Sequence, residues 1–352
     1  MDLAEQIQIA PTTKIIDALK VMDAVEHKSV IIVDEKKMLL GVATDGDVRR
    51  WILRNGSLDE PISAVMNTNP VTLQPGYSKE SARTIMTKHM ILALPVIDER
   101  RRIVDVCLSL KLFSETSLPK ASMDVPVVIM AGGEGTRLRP YTKILPKPLI
   151  PIGDKPITEH IIDRFRQYGC TKYYMTVNYK SGMIRSYYHE LEKDYTIEFV
   201  EETMPMGTGG SLQLLKNVLR TTFFVSNCDI LIEADYADML SVHRKQGNCI
   251  TMVACLKNYI IPYGVINLNK SERVDTITEK PELTWLVNTG LYILEPETLH
   301  DIPENQLFHI TDLINKYLSM GKPVGVYPIT EKSWMDMGQL EQMQEMMKRM
   351  GV

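Results

Sequence analysis

The feature that most restricts the fold is an apolar run, Val125–Ala131 (VPVVIMA), that passes without a break into Gly132-Gly133-Glu134-Gly135-Thr136-Arg137-Leu138-Arg139-Pro140-Tyr141-Thr142. A run with no polar face fits a strand of a parallel sheet buried on both sides. Glycines directly after such a strand let the backbone approach a ligand, and their N–H groups can form an anion-binding nest at the carboxyl edge of the sheet. A phosphate is the expected occupant. The loop matches neither the G-x-x-x-x-G-K-[ST] phosphate loop nor the G-x-G-x-x-G dinucleotide fingerprint. What sharpens it is Arg137 and Arg139, then Lys147 between Pro146 and Pro148, where the prolines fix the backbone and present the lysine outside a helix. With 40 Lys+Arg against 44 Asp+Glu the net charge is −4, so attraction for phosphates must come from this local cluster.

An internal repeat constrains the N-terminal third. At an offset of 64, Pro11 coincides with Pro75, Ala18 with Ala82, Met22 with Met86 and Asp34-Glu35 with Asp98-Glu99. Val30–Val33 falls opposite Leu94–Ile97, and Leu39-Leu40 opposite Ile103-Val104. Each copy reads as helix (Ile15–Val25 in the first), strand, acidic turn, strand and short helix, and two such units are expected to stack on each other. The pattern resembles a tandem pair of CBS domains, a Bateman α/β module, over residues 1–115, with copies at about 1–57 and 58–115. That resemblance implies an adenine-nucleotide site at Thr44-x-x-Asp47, with Arg49 and Arg50 as phosphate partners by bidentate hydrogen bonding. Copy two has Leu108 and Lys111 at the equivalent places, so at most one such site is expected. Alternatively, Thr44 and Asp47 cap the helix that follows.

The polar segment Ser114–Asp124 is the natural linker, with 116–124 separating the module from a second domain at 125–352. There, Gly-Gly-x-Gly-Thr-Arg-Leu-Arg-Pro-x-Thr followed by Pro-Lys-Pro-Leu resembles the signature of the sugar-1-phosphate nucleotidyltransferases. The resemblance implies a Rossmann-like, GT-A-like α/β fold with a mixed, mainly parallel sheet. It implies that Gly132, Gly133, Gly135 and Thr136 embrace a nucleoside triphosphate, that Arg137 grips its phosphates and that Lys147 neutralises charge near the transferred phosphorus.

Four later segments follow the family's order. Glu202-x-x-Pro205-x-Gly207-Thr208-Gly209-Gly210-Ser211 matches the loop beside the base and sugar; Thr208 or Ser211 could equally cap a helix through Leu212, Leu215 and Leu219. Phe223–Asp229 is a buried strand ending in an acid, and the resemblance makes Asp229 a ligand of a catalytic Mg²⁺. Gly264, Glu279 and Lys280, in Tyr-Gly-Val and Glu-Lys-Pro, resemble sugar and sugar-phosphate contacts, joined by Asn288 and Thr289. Glu279-Lys280 by itself would be an ordinary solvated charge pair. Trp334-x-Asp336-x-Gly338 resembles the second metal position, so Asp336 is expected to meet Asp229 across 107 residues; the alternative is a cap on the terminal helix whose stripe is Leu340, Met343, Met347 and Met350.

The length of 352 residues favours two domains. Five scattered cysteines without a C-x-x-C pair, and seven dispersed histidines, exclude a disulfide framework or zinc site as the organising element. No membrane span or signal pattern is visible, so the chain is expected in the cytoplasm, with no nucleic-acid or membrane partner. Joining a sugar 1-phosphate to a nucleoside triphosphate needs no general base, because the attacking oxygen is already ionised. The absence of a Ser/His/Asp set is therefore consistent. A nucleotidyltransferase with an N-terminal CBS pair resembles the guanylyltransferases that make GDP-glucosamine for legionaminic-acid-type surface sugars in bacteria. GTP with glucosamine 1-phosphate is thus the expected pair, in a homo-oligomer regulated by an adenine nucleotide. Mannose 1-phosphate, or UTP, dTTP or CTP with another sugar phosphate, are the alternatives, and a nucleotide sensor with an inactive transferase domain is the reading of another class.

Overall fold

The computed structural model describes residues 3–25, 28–89, 91, 93–108, 123–269 and 271–352. The chain divides into two compact units, Met1–Pro119 and Lys120–Val352. Residues 116–122 of the expected linker, Lys111 and the end of copy two at 109–115 lie outside the described residues. Met123, assigned to that linker from its polar neighbours, is instead 5% exposed and donates its N–H to Tyr168 O (2.7 Å), so it packs with the second unit.

In the first unit the repeat is visible in the strand register. β1 (Gln8–Ile9) pairs in parallel with β2 (Ser29–Val33), which pairs antiparallel with β3 (Leu39–Thr44); β4 (Ala93–Ile97) and β5 (Ile103–Leu108) form the second hairpin. The ladders run from Ser29↔Thr44 to Val33↔Leu39 and from Ala93↔Leu108 to Ile97↔Ile103, with a register shift after Ile32 in one and after Val96 in the other. Both turns are built alike. Asp34 Oδ1 accepts from the N–H groups of Lys36 and Met38, and Asp98 Oδ1 from those of Arg100 and Arg102, all at 2.8–2.9 Å. Side chains of Asp hydrogen-bonding backbone two and four residues on explain why an acid stands at this place in each copy. The hairpins exchange reciprocal bonds, Leu39 N–H to Arg101 O and Ile103 N–H to Lys37 O, both 2.9 Å, and share a core in which Ile31 and Leu39 meet Ala93, Val106 and Leu108. Helix α1 (Ile15–Ala24) buries Ile15, Ala18, Leu19 and Met22, the 3.6-residue stripe of an amphipathic helix; α2 (Asp45–Leu53) and α3 (Lys79–His89) follow.

The second unit is a three-layer α/β body. Its strands are β6 (Val127–Ala131), β7 (Lys172–Val177), β8 (Thr196–Glu201), β9 (Phe223–Asn227), β11 (Ile250–Ile260), β14 (Glu282–Leu294) and β15 (Val324–Thr330), in the order β8-β7-β6-β9-β14-β11-β15. Four of the six neighbouring pairs are parallel and the two involving β14 are antiparallel, so the sheet is mixed and mainly parallel. The continuous apolar run of β6 has the expected cause: Val127, Ile129 and Ala131 face one hydrophobic cluster and Val128 the other. On the first face pack α4 (Ile157–Arg166), α5 (Ser181–Glu190), α6 (Tyr236–Gln246) and α8 (Leu340–Met350); on the second, α7 (Ile310–Ser319) and the turns carrying Leu212, Leu215 and Leu219. Met346, outside the expected stripe of α8, is buried with Met343, while Met347 and Met350 are partly buried.

Three small ladders complete the described part of the unit, one of them a two-residue pairing of Pro151–Ile152 with Lys155–Pro156. β10 (Ile230–Ile232) pairs antiparallel with β16 (Trp334–Asp336), and β12 (Val265–Leu268) pairs with β13 (Val274–Thr278) in a ribbon between β11 and β14. Among the described residues no helix is long and apolar enough to cross a membrane.

Candidate active site

The carboxyl ends of β6 and β9 open into a cleft of about 400 Å³, and the glycine loop forms one wall. Gly132, Gly133, Gly135, Thr136, Arg137 and Lys147 line it, with Glu202, Gly207, Thr208 and Asp229 opposite. Gly135 is needed for two reasons: its φ is +64°, and a Cβ would lie 2.9 Å from Thr142 Cγ2 and 3.1 Å from Lys147 Cβ. The loop therefore folds directly onto the lysine segment. Thr142, 2% exposed, donates its hydroxyl to Gly135 O (3.0 Å). Arg137 is exposed at the mouth, whereas Arg139 turns to Glu134 (3.6 Å).

Lys147 opens a single 3₁₀ turn, Lys147–Leu149, between its prolines. Its ammonium pairs with the Asp229 carboxylate, both side chains being largely buried. Burial alone would lower the lysine pKa, but the Asp229 carboxylate, with Asp336 adding to it, holds it above the ordinary value. Asp336 arrives beside Asp229 through the β10–β16 ladder, where Ile230 faces Asp336 and the Met337 N–H reaches Asp229 O (2.8 Å). Burial, then the neighbouring Asp229 carboxylate, pushes the Asp336 carboxyl above the usual range. It does not cap the terminal helix: its Oδ1 accepts from Gly338 N–H (2.8 Å), and Gln339 occupies the N-cap of α8. Buried Asp229 and half-buried Asp336 beside it present oxygen donors that fit a hard divalent cation such as Mg²⁺. The thiol of Cys228, pushed up to about 12 by burial, stays protonated.

The Glu202 loop differs from expectation in one respect. Thr208 and Ser211 cap no helix of their own; residues Gly207–Gly210 form one short turn and Ser211–Leu215 a 3₁₀ segment. Thr208 Oγ1 instead accepts from Ile310 N–H (3.3 Å) at the start of α7, and buried Ser211 donates to Thr176 Oγ1 (3.4 Å). Gly209 is explained by protein packing: a Cβ there would lie 2.7 Å from Ile310 N, and its own N–H donates to Phe308 O (3.0 Å). It does not line the cleft. Glu202 is 6% exposed beneath Gly132, and burial raises its carboxyl pKa against the hydrogen bond from Met206 N–H (3.4 Å).

The expected sugar-site residues are gathered elsewhere. Gly264, Glu279 and Lys280 sit together at the base of the β12–β13 ribbon: a Cβ on Gly264 would be 2.9 Å from Glu279 Oε2, and Lys280, at φ +43°, donates its N–H to Tyr263 O (3.3 Å). Thr289 is 3% exposed and donates to Val253 O (2.7 Å) at the β11–β14 register shift; Asn288 donates to Tyr292 OH (2.7 Å). These five residues are absent from the lining of the cleft as described. The lining adds Met130, Pro205, Met206, Asn227, Cys228, Leu307 and Gly338, which the motifs did not single out as ligand contacts. Pro205 and Gly338 stand inside the quoted motifs without having been given a role, and Asn227 ends the strand that leads into Asp229.

In the first unit Thr44 and Asp47 form a capping box on α2. Asp47 N–H donates to Thr44 Oγ1 (3.2 Å), Thr44 N–H to Asp47 Oδ2 (2.8 Å), and the hydroxyl also donates to Oδ2 (2.6 Å). Arg50 pairs with Asp47, and Arg49 with Asp45 (3.0 Å).

Comparison with known proteins agrees with both units. The CBS domain pattern matches residues 5–54 and 62–107, and the nucleotidyl transferase pattern residues 126–351. Mannose-1-phosphate guanyltransferase of Saccharomyces cerevisiae is 34% identical over 221 residues, covering 60% of this chain and 61% of that protein. A probable mannose-1-phosphate guanylyltransferase of Oryza sativa is 30% identical over 227 residues, with 60% and 61% covered. The chain thus spans about 61% of the length of these curated relatives. Among solved structures, HddC from Yersinia pseudotuberculosis superposes with a TM-score of 0.50 at 24% identity, over 64% of this chain and 99% of that one. A putative glucose-1-phosphate thymidylyltransferase from Bacillus anthracis gives 0.51 at 21%, over 64% and 94%; at these identities the likeness is one of fold. With the family pattern spanning the whole body that carries the cleft, this chain belongs to the nucleotidyl transferase family, preceded by a pair of CBS domains.

Proposed function

We propose that the protein transfers a nucleoside monophosphate from a nucleoside triphosphate to a sugar 1-phosphate, with GTP and a hexose 1-phosphate as substrates. The observation that carries this reading is Lys147 paired with buried Asp229 in the glycine-loop cleft, with half-buried Asp336 beside them. An ionised oxygen of the sugar phosphate forms the bond to the α-phosphorus, the bond from that phosphorus to the bridging β-oxygen breaks, and its electron pair leaves with pyrophosphate. Proton balance needs no side-chain base. The chain's task is to hold two polyanions in line and to offset their repulsion. The N–H groups of the glycine loop and Arg137 bind the triphosphate, and Lys147, released from Asp229 as phosphate charge arrives, stands at the reacting end. Asp229 and Asp336 would hold Mg²⁺, which would neutralise phosphate charge. Glu279 and Lys280 take the sugar and its phosphate.

Glucosamine 1-phosphate is the first choice of acceptor, on the combination of this transferase with a CBS pair. Mannose 1-phosphate is the second, favoured by the names of the guanyltransferase relatives. Thr44 and Asp47 would receive the ribose and phosphate of an adenine nucleotide, which can regulate only by binding two states unequally. The proposed setting is a cytoplasmic homo-oligomer. Pyrophosphate release by the purified chain, over four nucleoside triphosphates and several hexose 1-phosphates with Mg²⁺, tests the reading. Release with GTP and one acceptor is expected; none in any combination from folded protein would overturn it.

A further inference from the structure

The three residues that follow β7, none of which the motifs singled out, tie its end to the Glu202 segment on one side and to the Tyr141–Ile144 turn on the other. Asn178 Nδ2 donates to Glu202 O (2.7 Å). Tyr179 OH donates to Thr142 O (3.1 Å), and its backbone N–H points at Gly132 O (3.5 Å). Lys180 Nζ donates to Lys143 O (2.6 Å) and Ile144 O (2.8 Å), closing the carbonyl end of the helical turn Tyr141–Ile144, where a cation is electrostatically favoured. The lysine holds this reach from a left-handed backbone, φ 53° and ψ 35°, directly before α5. A lysine in that conformation is uncommon and costs energy that a neighbouring contact must offset.

From Thr142 the tie continues, since its hydroxyl holds Gly135 O (3.0 Å) and its methyl lies where a Cβ on Gly135 would collide. The path Lys180 and Tyr179, then the 141–144 turn, then Thr142, then Gly135 ends on the N–H-bearing loop and the Arg137 that follows it. We propose that Tyr179 and Lys180 are positioning residues for the triphosphate: they set the height of the glycine loop, so that losing either side-chain bond weakens nucleotide binding without altering sugar-phosphate binding. The inference rests on the transferase reading and adds to it the residues that pre-shape the phosphate nest before substrate arrives.

The test compares the full-length chain with Tyr179→Phe, Lys180→Met, Lys180→Asn and Lys180→Arg. Asparagine tolerates the left-handed backbone while removing the ammonium, so it separates the bond from the turn; arginine keeps a cation and donors. GTP affinity is measured by calorimetry with Mg²⁺ and no sugar phosphate, and steady-state constants for both substrates are measured alongside. The expected result is a roughly tenfold weaker Kd and KM for GTP in the Phe, Met and Asn variants. KM for the sugar 1-phosphate and kcat should stay within about threefold, Tm should be nearly unchanged, and Lys180→Arg should recover most of the GTP affinity. Unchanged GTP affinity in folded Phe and Asn variants would overturn the inference while leaving the transferase reading in place, as would both KM values rising together with a falling Tm. A wild-type chain that binds no nucleoside triphosphate would overturn both.

Discussion

The glycine-loop half of the cleft is tied to the sheet at every turn, through Tyr179, Lys180, Thr142 and the Lys147–Asp229 pair, whereas the segment 261–286 that carries Gly264, Glu279 and Lys280 meets water along most of its length. In that second region Ile266, Leu268, Val274 and Ile277 are all more than half exposed, and among the described residues β12 and β13 pair only with each other. A two-stranded ribbon with little packing is marginally stable in water. The contrast is between a braced cleft and a lightly packed ribbon: on the proposed reading the cleft grips the triphosphate, and the ribbon, whose Gly264, Glu279 and Lys280 stand outside the cleft lining, is where acceptor choice would vary.

Four measurements press on that contrast. The largest effect is expected from Asp229→Asn in the braced half. Removing one of the carboxylates proposed to hold Mg²⁺ should lower kcat by about 10²–10³ with the fold intact by circular dichroism, and near-wild-type pyrophosphate release would break the assignment. In the lightly packed half, Lys280→Met should raise KM for the sugar 1-phosphate about ten- to a hundredfold, the worth of one charged hydrogen bond, while KM for GTP stays put. Equal change in both constants would erase the division between the halves.

A smaller effect concerns the body alone. His243 is fully buried, bonded to Thr251 Oγ1 (2.7 Å) and Glu295 Oε1 (3.0 Å), and burial, opposed by Glu295, lowers its pKa below the ordinary 6.5. The unfolded chain therefore takes up a proton near pH 6.5 that the folded chain refuses. This contribution to stability is complete above that pH and is lost as pH falls towards the folded value. The Tm should drop between pH 7.5 and 5.5 more steeply in wild type than in His243→Gln; parallel curves would contradict it. Least of all, Ile277→Thr in the ribbon should change stability by no more than about 0.5 kcal/mol, as exposed substitutions do. A loss of 2 kcal/mol on chemical denaturation would mean that the ribbon is packed after all.

How far the sequence could be read depended on the distance over which each constraint acts. The glycine loop and the proline-flanked lysine are contiguous, so the phosphate half was legible, and the 64-residue repeat reappears residue for residue in two hairpin registers. Thr44 and Asp47 admitted a cap because a capping box spans only three residues. Thr208 misled as a cap because its partners are His309 and Ile310, about a hundred positions away, and a one-dimensional pattern records no such contact. For the same reason Asn178, Tyr179 and Lys180 carried no signal: the partners of their side chains are 24 to 37 positions away. The sugar-site motifs appeared in the right order, but order along a chain does not say whether a ribbon lies over a cleft or apart from it.

The β10–β16 ladder has a consequence for the order of events during synthesis. Asp229 and Lys147 emerge from the ribosome well before Trp334–Asp336, the strand that sets the second carboxylate beside them. A partly made chain holds Lys147 and Asp229 but not yet Asp336. On the proposed reading, a growing polypeptide would complete its pair of acids only after all seven strands of the central sheet have been translated.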